Sequence, residues 1–426
     1  MRFLLSTTAL AAIAALAPLP SAAQSPACTH TVGMVVSLTG AAGRFGQAAG
    51  KSVELAFNEL NAAGGAQGIA GCKLAFDLRD AQSQGSVAVD QARQLVDLKK
   101  VPAIIGGIIS SVSIPIVTSV TGPAGVVQIS PASSSPTLTR MAVEGKTSGW
   151  FFRTITSDAL QGTAAAKYAL DQGMRTLTII HVNNDFGVNM LAEFRRAYEA
   201  LGGKIVSITP YNAAQPSYNA EVTNALKGDP PALYFIGYPG DGTTIVRTWI
   251  QQGGPQRFLL NDGMNAADFI KGVGPQFLTN AFGTSSGTTS TPSTEYFAKA
   301  YPAMSGGFDA GAPAADRAFD AGAILGLAIA HAGKFEAAAI RDSIRKVTEP
   351  GGEVVHAGPQ GFARALQLIR EKKPVRYVGV IGAVQFDRNG DITGPFRTWR
   401  ITNGEVTTVG QMTTEEVQAI QARLPR

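Results

Sequence analysis

Along most of its length this chain alternates short apolar runs with longer segments whose apolar residues recur every three or four positions. "VGMVVSL" predicts a strand. "GQAAGKSVELAFNELNAAGG" behind it predicts a helix, with Val53, Ala56, Phe57 and Leu60 on one face and a double glycine as its stop. "CKLAFDLRD", "GSVAVDQARQLVDLK", "VPAIIGGI", "SIPIVTSVTGPA" and "VVQIS" continue the rhythm. Strands that take turns with helical segments of this length indicate parallel α/β units.

The rhythm restarts after "WFFRTITSD", with strands predicted at "TLTIIHV", "KIVSITPY", "ALYFIGY" and "RFLLND" and helices between them. Two such sets in succession predict two lobes, each around a parallel sheet. The C-terminal third is composite. "AADRAFDAGAILGLAIAHAG" predicts a long helix with small and apolar residues all round, suited to packing on a sheet face. "VGVIGAVQFDRNGDITGPFRTWRITNGEVTTV" reads as strands broken by the hairpin signals "DRNGD" and "TNGE". A chain that builds one lobe, then a second, then adds to both must cross between them more than once. Candidate crossings are "RTITS" (153–157), "GTSSGTTS" (283–290) and the region 382–384, whose small and hydroxylated residues suit hinges.

Composition narrows the setting. Of 426 residues, 16% are charged and 45% hydrophobic, which is ordinary for a globular protein. The net charge of +5 comes without a basic cluster interleaved with aromatics, so nucleic acid is not an expected partner. Arg2, the apolar stretch behind it and the small residues ending at Ala23 have the pattern of a cleaved signal peptide over residues 1–23. No later stretch reaches membrane-spanning length without polar interruption, so a soluble exported protein is expected. Cys28 and Cys72 each precede an apolar run. If those runs are neighbouring parallel strands, their starting ends lie side by side and a disulfide can form in an oxidising compartment; two unpaired thiols are the alternative. Two cysteines and four scattered histidines lack metal-ligand spacing, and "DRNGD" lacks the later Glu of a calcium loop. No metal or cofactor is expected.

The candidate chemistry lies where strands end, because ligands of open parallel sheets bind outside the carboxyl ends of the strands. "TGAAGRFG" (39–46) is a glycine-rich strand-to-helix turn whose spacing departs from the dinucleotide fingerprint, and Phe45 protrudes from it as a candidate pocket wall. "GGIISSVSIPI" brings Ser110, and "VVQISPASSSPTLTR" brings Ser133 and Ser134, as hydroxyl donors, with helix capping as the plain alternative for any one of them. A serine nucleophile is disfavoured, since no G-x-S-x-G elbow surrounds Ser110 or Ser133. From the second set come "HVNNDFG" with Phe186, "FIGYPGDG" with Tyr238 and "FLLNDGMN" with Asp262. A lone carboxylate at a sheet mouth could bind a ligand ammonium, or cap a helix.

Taken in order and spacing, "VGMVVSLTGAAGRFGQAAGKSVELAFNELNAAGG", "IIGGIISSVSIPI", "VVQISPASSSPTLT", "FFRTITSD", "NDFG" and "FDRNGD" resemble the periplasmic branched-chain amino-acid-binding proteins, the solute receptors of ABC importers. The resemblance implies a type I periplasmic-binding fold: an α/β protein of two Rossmann-like lobes joined by a three-crossing hinge, here 28–153 with 285–381 and 154–284 with 382–412, followed by a tail over 413–426. It also implies a monomer in the periplasm that takes a small molecule and then docks on a membrane ABC permease, with no catalytic role. By position, Ser110, Ser133 and Ser134 would hold a ligand carboxylate and Asp262 its ammonium, while Phe45, Phe186 and Tyr238 would wall the side chain. Relatives of this architecture also bind amides, urea and aromatic acids, so an aromatic acid, amide or urea-type solute is the alternative to an amino acid. An exported serine hydrolase is the more distant one.

Overall fold

The structure, a computed structural model, describes residues 28–425; the export segment expected over 1–23 lies outside them. Strands β1 (Thr29–Val36), β2 (Lys73–Asp80), β3 (Ala103–Gly106), β4 (Val127–Ser130) and β5 (Phe151–Arg153) form a five-stranded sheet in the order β2-β1-β3-β4-β5, parallel throughout. Strands β3, β4 and β5 are buried along their whole length, as expected for a parallel sheet with helices on both faces. Strands β6 (Thr176–Val182), β7 (Lys204–Tyr211), β8 (Leu233–Ile236), β9 (Phe258–Leu260) and β10 (Ala281–Ser286) make a second parallel sheet. After a small sheet of β11 (Glu353–Val355), β12 (Val375–Gly379) and β13 (Gly382–Ala383), the antiparallel hairpin β14 (Phe396–Thr402) and β15 (Glu405–Met412) joins the β10 edge. The second sheet therefore has seven strands, ordered β15-β14-β10-β9-β8-β6-β7.

The chain leaves the first sheet after β5 and returns after β10 to the helix Ala315–Ala332, which packs against the helix Gly43–Gly64 of the first lobe. It crosses a third time between β13 and β14. Buried polar contacts hold the crossings together. Thr154 Oγ1 donates to Arg317 O (2.9 Å), Arg317 Nη2 donates to Ser286 O (2.8 Å), and the hydroxyls of Thr156 and Ser286 are hydrogen-bonded. Asp320, on the same helix, accepts from Tyr377 Oη (2.8 Å), Val380 N (2.9 Å) and Ile381 N (2.9 Å), pinning the β12–β13 turn beside the third crossing.

Local chemistry explains several of these elements. At "TNGE", Asn403 (φ 52°) and Gly404 (φ 81°) supply the two left-handed residues of a type I′ hairpin between β14 and β15. "DRNGD" behaves differently from its hairpin expectation. Asp387 Oδ1 accepts from Asn389 N (2.8 Å) and Asp391 N (3.0 Å), closing the turn on itself, but β13 and β14 on either side belong to different sheets. The residues after 412, expected as a tail, include a capped helix (Thr414–Gln421) that docks on the helix Asp158–Asp171, with Gln421 Nε2 donating to Ala159 O at 2.7 Å. "GTSSGTTS" begins as strand: β10 runs through Ser286.

The glycine-rich turn after β1 serves packing. A Cβ at Gly46 would lie 2.0 Å from Ser37 O, and one at Gly187, after the first strand of the second lobe, 2.0 Å from Val182 O. In each lobe one glycine lets the helix that follows the first strand lie directly on the end of that strand, the role of the last glycine in a dinucleotide fingerprint. Cys28 and Cys72 are joined in a disulfide just ahead of β1 and β2, whose first residues, Thr29 and Lys73, are register partners.

Candidate ligand-binding cleft

Between the lobes, at the carboxyl ends of strands from both sheets, lies a cavity of about 320 Å³, within the range of small-molecule sites. The first lobe contributes Phe45, Ser110 and Ser134, and the second contributes Phe186, Tyr238 and Asp262. Six of the seven ligand-site residues expected from sequence thus border one space.

Ser133, the seventh, is absent from the wall. Its Oγ lies 2.7 Å from Ser113 Oγ, and both hydroxyls reach Gly107 O, with Ser130 Oγ donating to the same carbonyl at 2.6 Å. This buried hydroxyl cluster holds the end of β3 against the loop after β4. Ser135 caps the helix Pro136–Val143 by accepting from Thr137 N (3.2 Å). The two serines at the cavity have different bonding states. Ser110 Oγ accepts from Ser135 N (3.1 Å), so its proton is not used by that contact. Ser134 Oγ donates to Asp158 Oδ2 (2.8 Å), a bond from the first-lobe loop to the first residue of a second-lobe helix.

The loop carrying these serines is held from below by Arg153, which is fully buried. Its Nη1 donates to Ser133 O (3.0 Å) and Ser135 O (3.1 Å), its Nη2 donates to Thr139 Oγ1 (2.7 Å), and its Nε pairs with Asp391 Oδ1 at 2.6 Å. Thr139 Oγ1 closes the circuit by donating to Asp391 Oδ2 (2.6 Å).

Opposite stand the acidic and aromatic walls. Asp262 Oδ1 accepts from Gly263 N (3.0 Å) and from Asn261 Nδ2 (3.2 Å), and Asn261 is itself clamped to both backbone groups of Gly237. Burial pushes the Asp262 carboxyl above its ordinary range, against the pull of Asn261 and the Arg317 cation. Asp158 is pushed much further up, first by complete burial and then by the neighbouring Asp262 charge. Asp262 thus borders the cavity, while Asp158 stands behind Ser134 with burial favouring its neutral form. Tyr238 stands at the centre of the aromatic wall, edge-on to Phe45 across the lobes (6.3 Å between centroids) and tilted against Phe186 (5.6 Å). Its hydroxyl accepts from Asn184 Nδ2 (3.3 Å).

Sequence reasoning missed the cations and the second acid. Arg317 begins the helix Ala315–Ala332, where its Nη1 lies 2.8 Å from both oxygens of Asp316. Arg397 enters from β14. Both lay in segments read for their apolar pattern or turn signals. A usable cue was the charge itself, since "DR" opens a helix otherwise built of small and apolar residues.

The sequence profile of the periplasmic binding protein family matches residues 29–372. A Pseudomonas aeruginosa "amino acid binding protein" is 28% identical over 249 residues, 58% of this chain and 64% of the relative, so the match spans less than two thirds of that protein. A substrate-binding protein of a chemotactic signal transduction system from Halobacterium salinarum is 26% identical over 83% of the chain and 82% of its own length. Among solved structures, the leucine-binding protein LivK from Thermotoga maritima superposes with a TM-score of 0.75 at 22% identity, covering 91% of this chain and 99% of that one. An R. palustris ABC-transporter solute-binding protein in complex with benzoate gives 0.73 at 14% identity, with coverages of 90% and 96%. These likenesses place the fold among type I periplasmic binding proteins.

Proposed function

Because the chain belongs to the periplasmic binding protein family, whose members are substrate-binding proteins rather than enzymes, we propose that it is the periplasmic receptor of an ABC importer and captures an amino acid between its lobes. The observation that carries this reading is the pairing of Asp262 with Ser110 and Ser134 around one cavity. The hydroxyls of Ser110 and Ser134 receive the ligand carboxylate, and Asp262 receives the ammonium. Ser134 becomes a donor to the ligand once the protonated Asp158 donates to the Ser134 oxygen, and burial of Asp158 favours that protonation state. Phe45, Phe186 and Tyr238 enclose the side chain. Water exclusion on closure strengthens the charged hydrogen bonds. The loaded, closed form is what a membrane permease recognises.

A thermal-shift screen against amino acids, aromatic acids, amides and urea, followed by calorimetry on the hits, tests the reading. An amino acid should bind, and Asp262→Ala should cost about 2–5 kcal/mol of that affinity. Unchanged affinity in the variant rules out the ammonium role. The aromatic wall supports a second reading, in which the solute is an aromatic acid without an ammonium, as in the benzoate complex of the R. palustris relative. Benzoate-type acids would then shift the melting temperature while amino acids would not.

A further inference from the structure

Two arginines, Arg317 and Arg397, and two aspartates, Asp262 and Asp316, line the cavity. Its two arginines differ. Arg317 is neutralised in place, with Asp316 on Nη1 and a backbone carbonyl on Nη2. Among the described residues no carboxylate pairs with Arg397: its buried Nε has no hydrogen-bond partner, and the acid whose charge it feels is Asp316, already bound by Arg317. Burying a guanidinium N–H without a partner is costly, so a site that keeps one has a use for it in the liganded state.

Arg397 is also well placed. Its register partner on β10 is Ser285, and Leu260 on β9 is the partner of Gly283. Asp262 opens the one-turn 3-10 helix Asp262–Met264 that follows β9. Asp262, Ser285 and Arg397 line the same cavity, and Arg397 also lines a neighbouring space of about 380 Å³ bordered by Arg44, Phe308 and Glu405. A ligand whose ammonium rests on Asp262 thus shares its cavity with the planar, bidentate Arg397 guanidinium, a donor suited to a carboxylate.

We infer that Arg397 is the counter-ion of a second acidic group, and that the solute is an amino acid carrying a carboxylate on its side chain. This inference rests on the amino-acid reading of the cleft and narrows it. The charges then match in sequence: hydroxyls for the first carboxylate, Asp262 for the ammonium, Arg397 for the second carboxylate.

The test is calorimetry of the full-length mature protein and of Arg397→Gln with L-glutamate, L-aspartate, their amides L-glutamine and L-asparagine, L-leucine, and the acids benzoate and terephthalate. Circular dichroism and melting temperature establish that the variant is folded. At least one acidic amino acid should bind the wild type roughly tenfold or more tighter than its amide, and Arg397→Gln should bring the two within about threefold. An amide or leucine that binds the wild type as tightly as the acids, or an acid preference that survives Arg397→Gln, overturns the role of Arg397 and leaves the amino-acid reading intact. Binding of benzoate or terephthalate alone, lost in Arg397→Gln, overturns the amino-acid reading and with it the second carboxylate, while keeping Arg397 as an anion partner. No binding by any probe overturns both.

Discussion

The structure makes its sharpest stability prediction at Arg153. The side chain is fully buried, and its partner Asp391 has a side chain only 12% exposed. Beyond the 2.6 Å ion pair, the guanidinium satisfies the carbonyls of Ser133 and Ser135 and the hydroxyl of Thr139. Arg153→Met keeps an unbranched apolar stem but leaves a nearly buried carboxylate facing it without a cation. Breaking one partner of such a pair costs about 3–5 kcal/mol, largely through the stranded charge. For lobes of this size that is a fall in Tm of roughly 6–20 °C. The cause is separable. Adding Asp391→Leu removes the stranded charge, so the double variant should recover about half or more of the loss, the remainder reflecting the orphaned carbonyls. Urea unfolding monitored by tryptophan fluorescence gives the midpoints and slopes. A single variant within 1 kcal/mol of the wild type, or a double variant no better than the single, would refute the view that this buried pair clamps the serine loop.

Three further outcomes follow from burial and packing elsewhere in the fold. Burial pushes the Asp320 carboxyl from 3.8 up to about 7, so the folded chain keeps a proton that the unfolded chain has released; the contribution is complete below about pH 4 and is lost as pH rises through 7, up to about 4 kcal/mol, and Asp320→Asn should flatten that part of a stability–pH profile. Replacing both Cys28 and Cys72, 44 residues apart, by Ser should cost about 2–4 kcal/mol, and reductant should lower the Tm of the wild type but not that of the variant. Gly46→Ala should destabilise by about 2–4 kcal/mol, because its Cβ would strike Ser37 backbone at 2.0 Å, whereas Gly50→Ala in the same helix meets nothing nearer than Leu78 at 3.8 Å and should stabilise by about 0.5–1 kcal/mol; equal Tm changes for the two would contradict the packing argument.

The elements that sequence periodicity revealed were those whose burial is decided locally. Asp262 could be found because it directly follows the apolar run of β9, and Phe186 and Tyr238 because they sit just past β6 and β8. Strand β10 was missed for a physical reason. Its "AFGTSS" is small and hydroxylated because Trp399 lies over it: a Cβ at Gly283 would come within 2.1 Å of the indole, and Trp399 Nε1 donates to Ser285 Oγ at 2.8 Å. The strand's apolar partner is more than a hundred residues away, so local hydrophobicity reads as linker. Ser133 and Ser134 show the limit at the site. Neighbouring serines on one loop face different ways, and nothing in "ASSSP" says that the first belongs to the hydroxyl cluster and the second to the cavity. Arg317 and Arg397 reach the cavity only through the second and third crossings, a long-range fact with no local signature.

The contacts that hold the lobes together bear on how ligand capture can be controlled. Close to the crossings, the bonds among Thr154, Thr156, Ser286 and Arg317, and that from Ser134 to Asp158, are buried or partly buried. Farther out the contacts are weaker in kind. Arg44 pairs with Asp268 across the cleft with both side chains more than half exposed, which limits the pair to about 1 kcal/mol. The Phe45–Tyr238 edge contact adds about 0.5–1.5 kcal/mol, and the bonds from Arg140 and Thr137 to Asn189 are at the partly exposed rim. A few kcal/mol in the outer contacts is comparable to the cost of ordering two lobes, so these contacts alone do not lock the closed form. A ligand bridging Ser110 on one lobe and Asp262 on the other touches both lobes only when they are closed, and that differential contact is what can shift the population. Strong bonds near the hinge and weak ones at the rim are thus the distribution a receptor needs if closure is to report occupancy.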